Sequence, residues 1–567
     1  MDEHSLGSGI ALARAGRLTE AEAYFASASR QSPADSAAHF NRGVILALLQ
    51  RHSAAIASFE RTLEIKPQHL EAHFRRAIAL GLLARHEEAL AGVERVISLR
   101  PDHVDAHFNR GLVLGLLERH AEALASFQRV LALQPGHAAA YHRCGLELQR
   151  LDRLEAAVVC FDRAVILGPD VAARYTDRAL LLGHLGDYSG ALESVERALA
   201  LDSRDPDAHN NRGNALRGLH RYQEAIGAYE EALRLHPGKH LASWNLSLLR
   251  LLLGEFDEGW RLYEARFQVP GTNARRRDDP ARLWRGETVA GKTILINSEQ
   301  GLGDTLQFCR YAAVLRDQGA HVVLEVQPQL RTLLGSLDGA DRVIAEGDAA
   351  GEFDYHCPLL SLPLLCRTRL ETIPAAVPYL EPEQARTAHW AQRLSGERGR
   401  LRVGIAWQGN PDPEKSWARG RSVPLRYFRP LTDIAAVELI SLQKGHGLEQ
   451  VGAAGLTARI TIPGDDFDTG PDAFLDAAAV IAGLDLVITS DTSIAHLAGA
   501  LSAPVWVALH SNPDWRWLVG RSDSPWYPTM RLFRQQRPGD WAAVFEEIAG
   551  ALRQRAGERP RISLAIA

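Results

Sequence analysis

Cysteine is scarce, with five residues (Cys144, Cys160, Cys309, Cys357 and Cys366) in 567. None forms a C-x-x-C pair, so neither a disulfide framework nor a thiolate zinc site is expected. The thiols read as small buried apolar residues of a reducing compartment. Long apolar runs are missing too, and no stretch is long enough to span a bilayer. The opening residues, MDEHSLGSGIALARAGRL, lack the charged and then apolar segments of a secretory signal. A cytoplasmic location is the expectation. Positive charge is not in excess: 64 Lys and Arg against 69 Asp and Glu give a net charge of −5. No basic field therefore draws nucleic acid. What is present is ordinary globular composition, 46% hydrophobic and 23% charged, over a length that calls for several domains.

The first half repeats. Pro33, Pro67, Pro101, Pro135, Pro169 and Pro237 fall on a 34-residue period, with Ser203 in the one slot without proline. Thirty-four residues is the period of tetratricopeptide helix–turn–helix units. Gly43, Gly111, Gly145 and Gly213 share a second slot. Ala55, Ala123, Ala157 and Ala225 follow, and then Phe59, Phe127, Phe161 and Tyr229. Small residues let two helices cross closely, and the aromatic is expected to fill the groove against the next repeat. Residues 1–32 read as a worn first repeat, and residues 1–270 as an α solenoid of tetratricopeptide repeats. Two positions before the glycine slot stand Asn41, Arg75, Asn109, Arg143, Asp177, Asn211 and Asn245. Asparagine is a mediocre helix former, so four in this slot call for a reason. On the inner face of a superhelix, the amides of Asn41, Asn109, Asn211 and Asn245 could hold an extended polypeptide. The alternative is that asparagine is habitual at this slot. The array resembles the solenoid of eukaryotic O-GlcNAc transferase, whose inner asparagine ladder holds the acceptor polypeptide. His52, His86, His120 and His220 sit at the turns as a repeat echo, and no metal site is expected there.

After residue 270 the pattern changes. GTNARRRDDPARLWRGETVAG reads as a polar linker over 271–290. Short apolar runs then alternate with helical segments: TILINS, HVVLEV, DRVIAEG and FDYHCPLLSLP over 291–385. A charged helical bridge over 386–401 follows. The alternation restarts over 402–555 with RVGIAWQG, AVELISLQ, ARITIPG, DLVITS and APVWVALH, before a tail at 556–567. This is the βαβ signature of doubly wound parallel sheets. Two such halves joined by a bridging helix predict α/β GT-B architecture with a cleft between the halves.

Two turns carry the chemistry. In EQGLGDTLQFCRY the G-x-G-x-x-G pattern fails at Leu306 and no GK[ST] follows, which disfavours dinucleotide and P-loop sites. Asp304 could be a helix cap or a cleft carboxylate. In DLVITSDTSIAHLAGAL, the residues Asp491, Thr492, Ser493 and His496 lie where a strand ends and a helix begins, a phosphate-binding arrangement. His496 could donate to a diphosphate or merely satisfy the turn. Together the two motifs resemble glycosyltransferase family 9, the heptosyltransferase group, over residues 285–550.

The resemblance implies a metal-independent, inverting glycosyltransferase with a nucleotide-sugar co-substrate and no cofactor. It implies Asp304 as general base, and a donor site containing Asp491, Thr492, Ser493 and His496. Ser493 replaces the family's usual glycine. Lys444, Arg421 and Lys415 are candidate cations for the leaving diphosphate, or else solvated surface charges. Trp407, Gln408 and Asn410 are expected to line the donor pocket, with Ser441 and Gln443 near the base. Trp515, Trp517, Trp526 and Tyr527 either stack on a ligand or pack the C-terminal helix across the two halves. The expected acceptor is Ser or Thr of a polypeptide held by the solenoid, of flagellin type for example. Lipopolysaccharide is a second acceptor class, and a non-catalytic scaffold with a degenerate transferase domain is the competing reading. Solenoids commonly self-associate, so a homo-oligomer is among the expected partners, although the sequence carries no clear mark of it.

Overall fold

The computed structural model describes residues 3–394, 399–409 and 421–557. The chain packs as two compact units, Met1–Arg204 and Asp205–Ala567. The division falls inside the run of 34-residue repeats rather than near 270, because the last repeats pack with the sheets that follow them.

Among the described residues of the first unit, six helical hairpins follow one another, from Glu3–Arg14 with Leu18–Gln31 to Ala172–His184 with Tyr188–Leu201. Each glycine of the repeat slot lies under the aromatic of its own hairpin. A Cβ added at Gly43 would stand 2.6 Å from Phe59, at Gly111 2.6 Å from Phe127, and at Gly145 2.7 Å from Phe161. Gly9 meets Phe25 in the same way, so the worn first repeat keeps the contact. The aromatic thus covers the glycine of its own repeat, and Phe127 and Phe161 also belong to one buried cluster that runs through successive repeats. A ring pair adds to the contact with the next repeat: Phe40 stacks on His69, which caps the following helix, with centroids 4.8 Å apart. The volumes are complementary along the array. Where the glycine slot holds Ala77 or Ala179, the aromatic slot holds the smaller Val93 or Val195, all buried.

That pairing predicts a compensated mutation. Gly111→Ala is expected to cost about 1–3 kcal/mol by overpacking. Adding Phe127→Val, which recreates the Ala77–Val93 pair, should return most of it. Urea melts followed by circular dichroism check this, and an uncompensated double variant would refute it.

The second unit begins with two further hairpins, Pro206–Gly218 with Tyr222–Leu235 and His240–Leu252 with Phe256–Tyr263. Two wholly parallel sheets follow. The first has the order β3-β2-β1-β4, from β1 (Thr293–Asn297), β2 (His321–Val326), β3 (Arg342–Ala345) and β4 (Tyr355–Pro358). The second has the order β10-β9-β8-β5-β6-β7. Its strands are β5 (Leu401–Ala406), β6 (Val437–Ser441), β7 (Ile460–Thr461), β8 (Leu486–Ser490), β9 (Val505–Leu509) and β10 (Met530–Arg534). Counted from its own first strand, that order is the doubly wound 3-2-1-4-5-6. β10 escaped the sequence reading because Arg531 and Arg534 interrupt its apolar run.

The 271–290 stretch is not free chain. Leu283 bridges to His356 of β4, and Trp284 N–H donates to the His356 carbonyl at 2.9 Å. The last hairpin is fastened by Arg266, which is fully buried. Its guanidinium donates to both oxygens of the equally buried Glu299, at 3.0 and 2.8 Å, and to Ser361 Oγ at 2.8 Å.

Candidate functional site

In open α/β sheets, ligands bind beyond the carboxyl ends of the strands where the strand order reverses. Those points are β1/β4 in the first sheet and β5/β8 in the second. Both sequence motifs leave the sheets there. Asp304 follows β1 on the helix Leu302–Phe308, and Asp491 follows β8 just before the helix Ser493–Ala500. These two helices pack on each other. Gly303 allows the approach: a Cβ there would stand 3.2 Å from His496 Cδ2 and 3.4 Å from Ser493 Cα. Gly303 thus makes room for the second motif, and a side chain there would push on His496 and Ser493.

Asp304 caps its helix and is also paired with an arginine. Its Oδ2 accepts from Gly301 N–H at 2.9 Å, which caps the helix start. Its Oδ1 accepts from Arg516 Nη2, across the interface between the two halves of the sheet region. Arg516 also donates to Gln307 Oε1 at 2.6 Å and to Asp514 Oδ1 at 3.0 Å. Asp514 Oδ2 accepts from Arg421 Nη2 at 2.7 Å, and Arg421 Nε lies 3.4 Å from Asp491 Oδ2. Burial alone would raise the Asp514 carboxyl, but Arg516 and Arg421 hold it at about 2. Burial pushes the Asp491 carboxyl up, against the pull of Arg421. Arg516 keeps its charge firmly despite burial because Asp514 and Asp304 face it.

His496 is buried, its Nδ1 3.0 Å from Tyr527 Oη and its ring stacked on Trp517 at 5.6 Å. Burial, reinforced by Arg516, holds its pKa well below the ordinary value. Thr492 caps the helix in extended backbone, its Oγ1 3.1 Å from Thr489 Oγ1, and Ser493 opens the first turn half-buried. Gln300 and Leu518, both non-glycine residues at positive φ of 63° and 51°, stand near Asp304 and Arg516 respectively. Such backbone costs about 1–3 kcal/mol per residue and clusters at functional sites.

Several expected pocket residues lie elsewhere. Trp407 is fully buried in the core of the second sheet, its Nε1 donating to the Gly447 carbonyl at 3.1 Å, so it lines no cleft. Ser441 is fully buried and accepts from Gln443 N–H. Gln443 is an internal clamp: its Oε1 accepts from the N–H groups of Trp407 and Gln408, and its Nε2 donates to the carbonyls of Gln408 and His446. No polar atom of that amide is left over for a base. Gln408 is half-buried and its side chain accepts from Gln450. Lys444 is exposed beyond β6, apart from the arginine–carboxylate chain. Asn410 and Lys415 lie outside the described residues. Trp515 and Trp526 pack on Trp260 and Phe308, at 5.1 and 5.5 Å, so this cluster joins the last repeat helix to the first half. The C-terminal helix Trp541–Gly557 instead covers the second sheet, with Phe545 against Phe428.

On the repeats, Asn109 Nδ2 donates back to its own helix at Asp105 O, and Asn41 is half-buried. Asn211 is nearly buried rather than presented, its Oδ1 3.4 Å from Asn210 Nδ2. Asn245 donates to Asn210 Oδ1 at 2.9 Å. Two of the four amides are therefore engaged with a neighbouring asparagine.

Arg516 and Asp514 were missed because PDWRW reads as an aromatic run. The signal was there: charged residues alternating with tryptophans that must be buried need buried partners.

His510, mostly buried at the end of β9, gives a pH test. Burial pushes its pKa from 6.5 to about 4. The unfolded chain therefore takes up the proton first, and stability present above pH 6.5 is lost as pH falls toward 4. The full loss is about 3 kcal/mol at most. His510→Asn should flatten this part of the urea-midpoint profile, and an unchanged slope would refute the assignment.

Among the described residues, no helix is long and apolar enough to cross a membrane, and no group of three or more His, Cys, Asp or Glu could hold a metal ion. Tetratricopeptide-repeat models match residues 6–69, 71–138, 146–213 and 206–239. The chain is 28% identical over 327 residues to Protein FlbA of Caulobacter vibrioides, covering 53% of each chain, so it spans about half the length of that relative. Among solved structures it is similar to YrrB, described as a TPR protein with an unusual peptide-binding site (21% identity, 32% of this chain, 95% of that one, TM-score 0.30). It is also similar to a tetratricopeptide protein of Parabacteroides merdae (20% identity, 44% of this chain, 98% of that one, TM-score 0.36).

Proposed function

We propose that this chain is a glycosyltransferase of GT-B architecture that moves a sugar from a nucleotide-sugar donor to a hydroxyl of a polypeptide bound by its repeats. The observation that carries the reading is the meeting of two motifs 187 residues apart in sequence, Asp304 and Asp491, linked by alternating Arg516, Asp514 and Arg421. In this reading the acceptor oxygen attacks the anomeric carbon from the face opposite the diphosphate. The new C–O bond forms as the bond to the phosphate oxygen breaks, the acceptor proton passes to Asp304, and the diphosphate leaves with the bonding electrons. Arg421, Arg516 and the N–H groups opening the helix Ser493–Ala500 offset the charge that develops on it. Binding energy from a long acceptor, spent away from the reacting hydroxyl, improves its positioning.

The test is a thermal-shift panel of UDP, GDP, ADP, CMP and dTDP sugars, followed by a transfer assay with the sugar that raises the melting temperature. One observation favours the scaffold reading instead: both Asp304 oxygens are already occupied by internal partners. A wild-type protein that neither binds nor turns over any nucleotide sugar would establish that reading.

A further inference from the structure

Through the site, Asp304, Arg516, Asp514, Arg421 and Asp491 alternate in sign. Three carboxylates face two guanidiniums, and each guanidinium is shared by two of them. A phosphate arriving at the helix Ser493–Ala500 must therefore compete with a carboxylate already in place. Meanwhile Asp304 has one oxygen on Arg516 and the other on Gly301 N–H. Buried polar atoms in and beside this chain, among them Ser490 Oγ, Gln307 Nε2 and Asp491 Oδ2, have no hydrogen-bond partner among the described residues. Buried polar atoms left unpaired are uncommon and costly. Strained backbone at Gln300 and Leu518 lies near the two ends of the Asp304–Arg516 pair.

We propose that Asp514 and Asp304 stand in for the donor's phosphates on Arg421 and Arg516, so that an arriving diphosphate draws Arg516 away and frees Asp304. Arg516 then exchanges Asp304 for the diphosphate, and the site becomes ordered: donor first, base second. The exchange swaps acceptors on the guanidiniums. It moves no proton and breaks no covalent bond. The proposal rests on the donor-binding reading above and adds to it a competition that a purely structural ion pair would not show.

Competition has a reciprocal signature: removing either internal competitor must tighten the anion, by the same coupling through which the anion loosens the pair. The probe is inorganic pyrophosphate, titrated calorimetrically into the full chain. Asp514→Asn and Asp304→Asn are each expected to bind it about tenfold more tightly than wild type, the range of one charge-assisted contact. Arg516→Gln is expected to bind it more weakly. Tryptophan emission checks that each variant is folded. Should Asp514→Asn fail that check, Asp491→Asn removes a carboxylate from the same Arg421 and carries the same expectation. Equal or weaker binding by folded Asp variants, with wild type still binding, would overturn the latch and leave the donor site standing. No binding by wild type or any variant would overturn both.

Discussion

Under the glycosyltransferase reading proposed above, Asp304→Asn is expected to transfer sugar about 10²–10⁴-fold more slowly than wild type, the range for losing a positioned general base. Asparagine is isosteric with aspartate and can still accept from Gly301 N–H, so the helix start survives. It cannot take the acceptor's proton. The loss should therefore fall on kcat, with donor binding retained or improved. A decrease of less than tenfold would move the base elsewhere. The same substitution separates the two roles that the geometry gives this residue. A cap that was only structural would lower the melting temperature and leave the rate of the folded fraction unchanged.

Arg266→Ala is expected to destabilise the second unit by about 3–5 kcal/mol, because it strands Glu299 as a buried, unpaired charge. Both side chains are fully buried. Around them, Glu299 accepts from Leu360 N–H at 2.9 Å and Arg266 donates to Glu264 at 2.6 Å, so neither charge has water to fall back on. The double variant Arg266→Met, Glu299→Leu should recover most of the loss, since the desolvation cost leaves with both charges. Tryptophan fluorescence in urea is a clean probe. All eleven tryptophans lie between Trp244 and Trp541, so the signal reports this unit and not the first. A cost below about 1 kcal/mol for the single variant would mean that water reaches Glu299.

The repeat array was legible because its spacing is enforced by packing: glycine under aromatic, alanine under valine. β1 to β9 were legible because each carries a short apolar run, continuous in the central strands that are buried on both faces. β10 was not, since an edge strand can carry Arg531. At the site, the meeting of Asp304 with the Asp491 turn followed from family resemblance rather than from periodicity. Ser441 and Gln443 show the limit of local reading. A polar residue ending a strand can face a ligand or tie two loops together, and only the fold decides which. Gln443 spends its whole amide on the second task. Arg516 was missed for a different reason: Asp514 stands two residues before it, but its other two partners, Asp304 and Gln307, lie more than 200 residues away.

That separation bears on how the protein is made. Arg516 meets Asp304 across 212 residues, and Arg310 meets the Trp526 carbonyl across 216. The Arg266–Glu299 pair spans only 33. Contacts of long separation form late, after the loop between them is closed. At ribosomal speeds of about 5–20 residues per second, Asp304 waits roughly 10–40 s for its arginine to be synthesised. During that interval the repeats and the first sheet can fold while the site does not yet exist. A chain interrupted before Asp514 would keep its repeats and its GLGD turn and lack both Asp514 and Arg516.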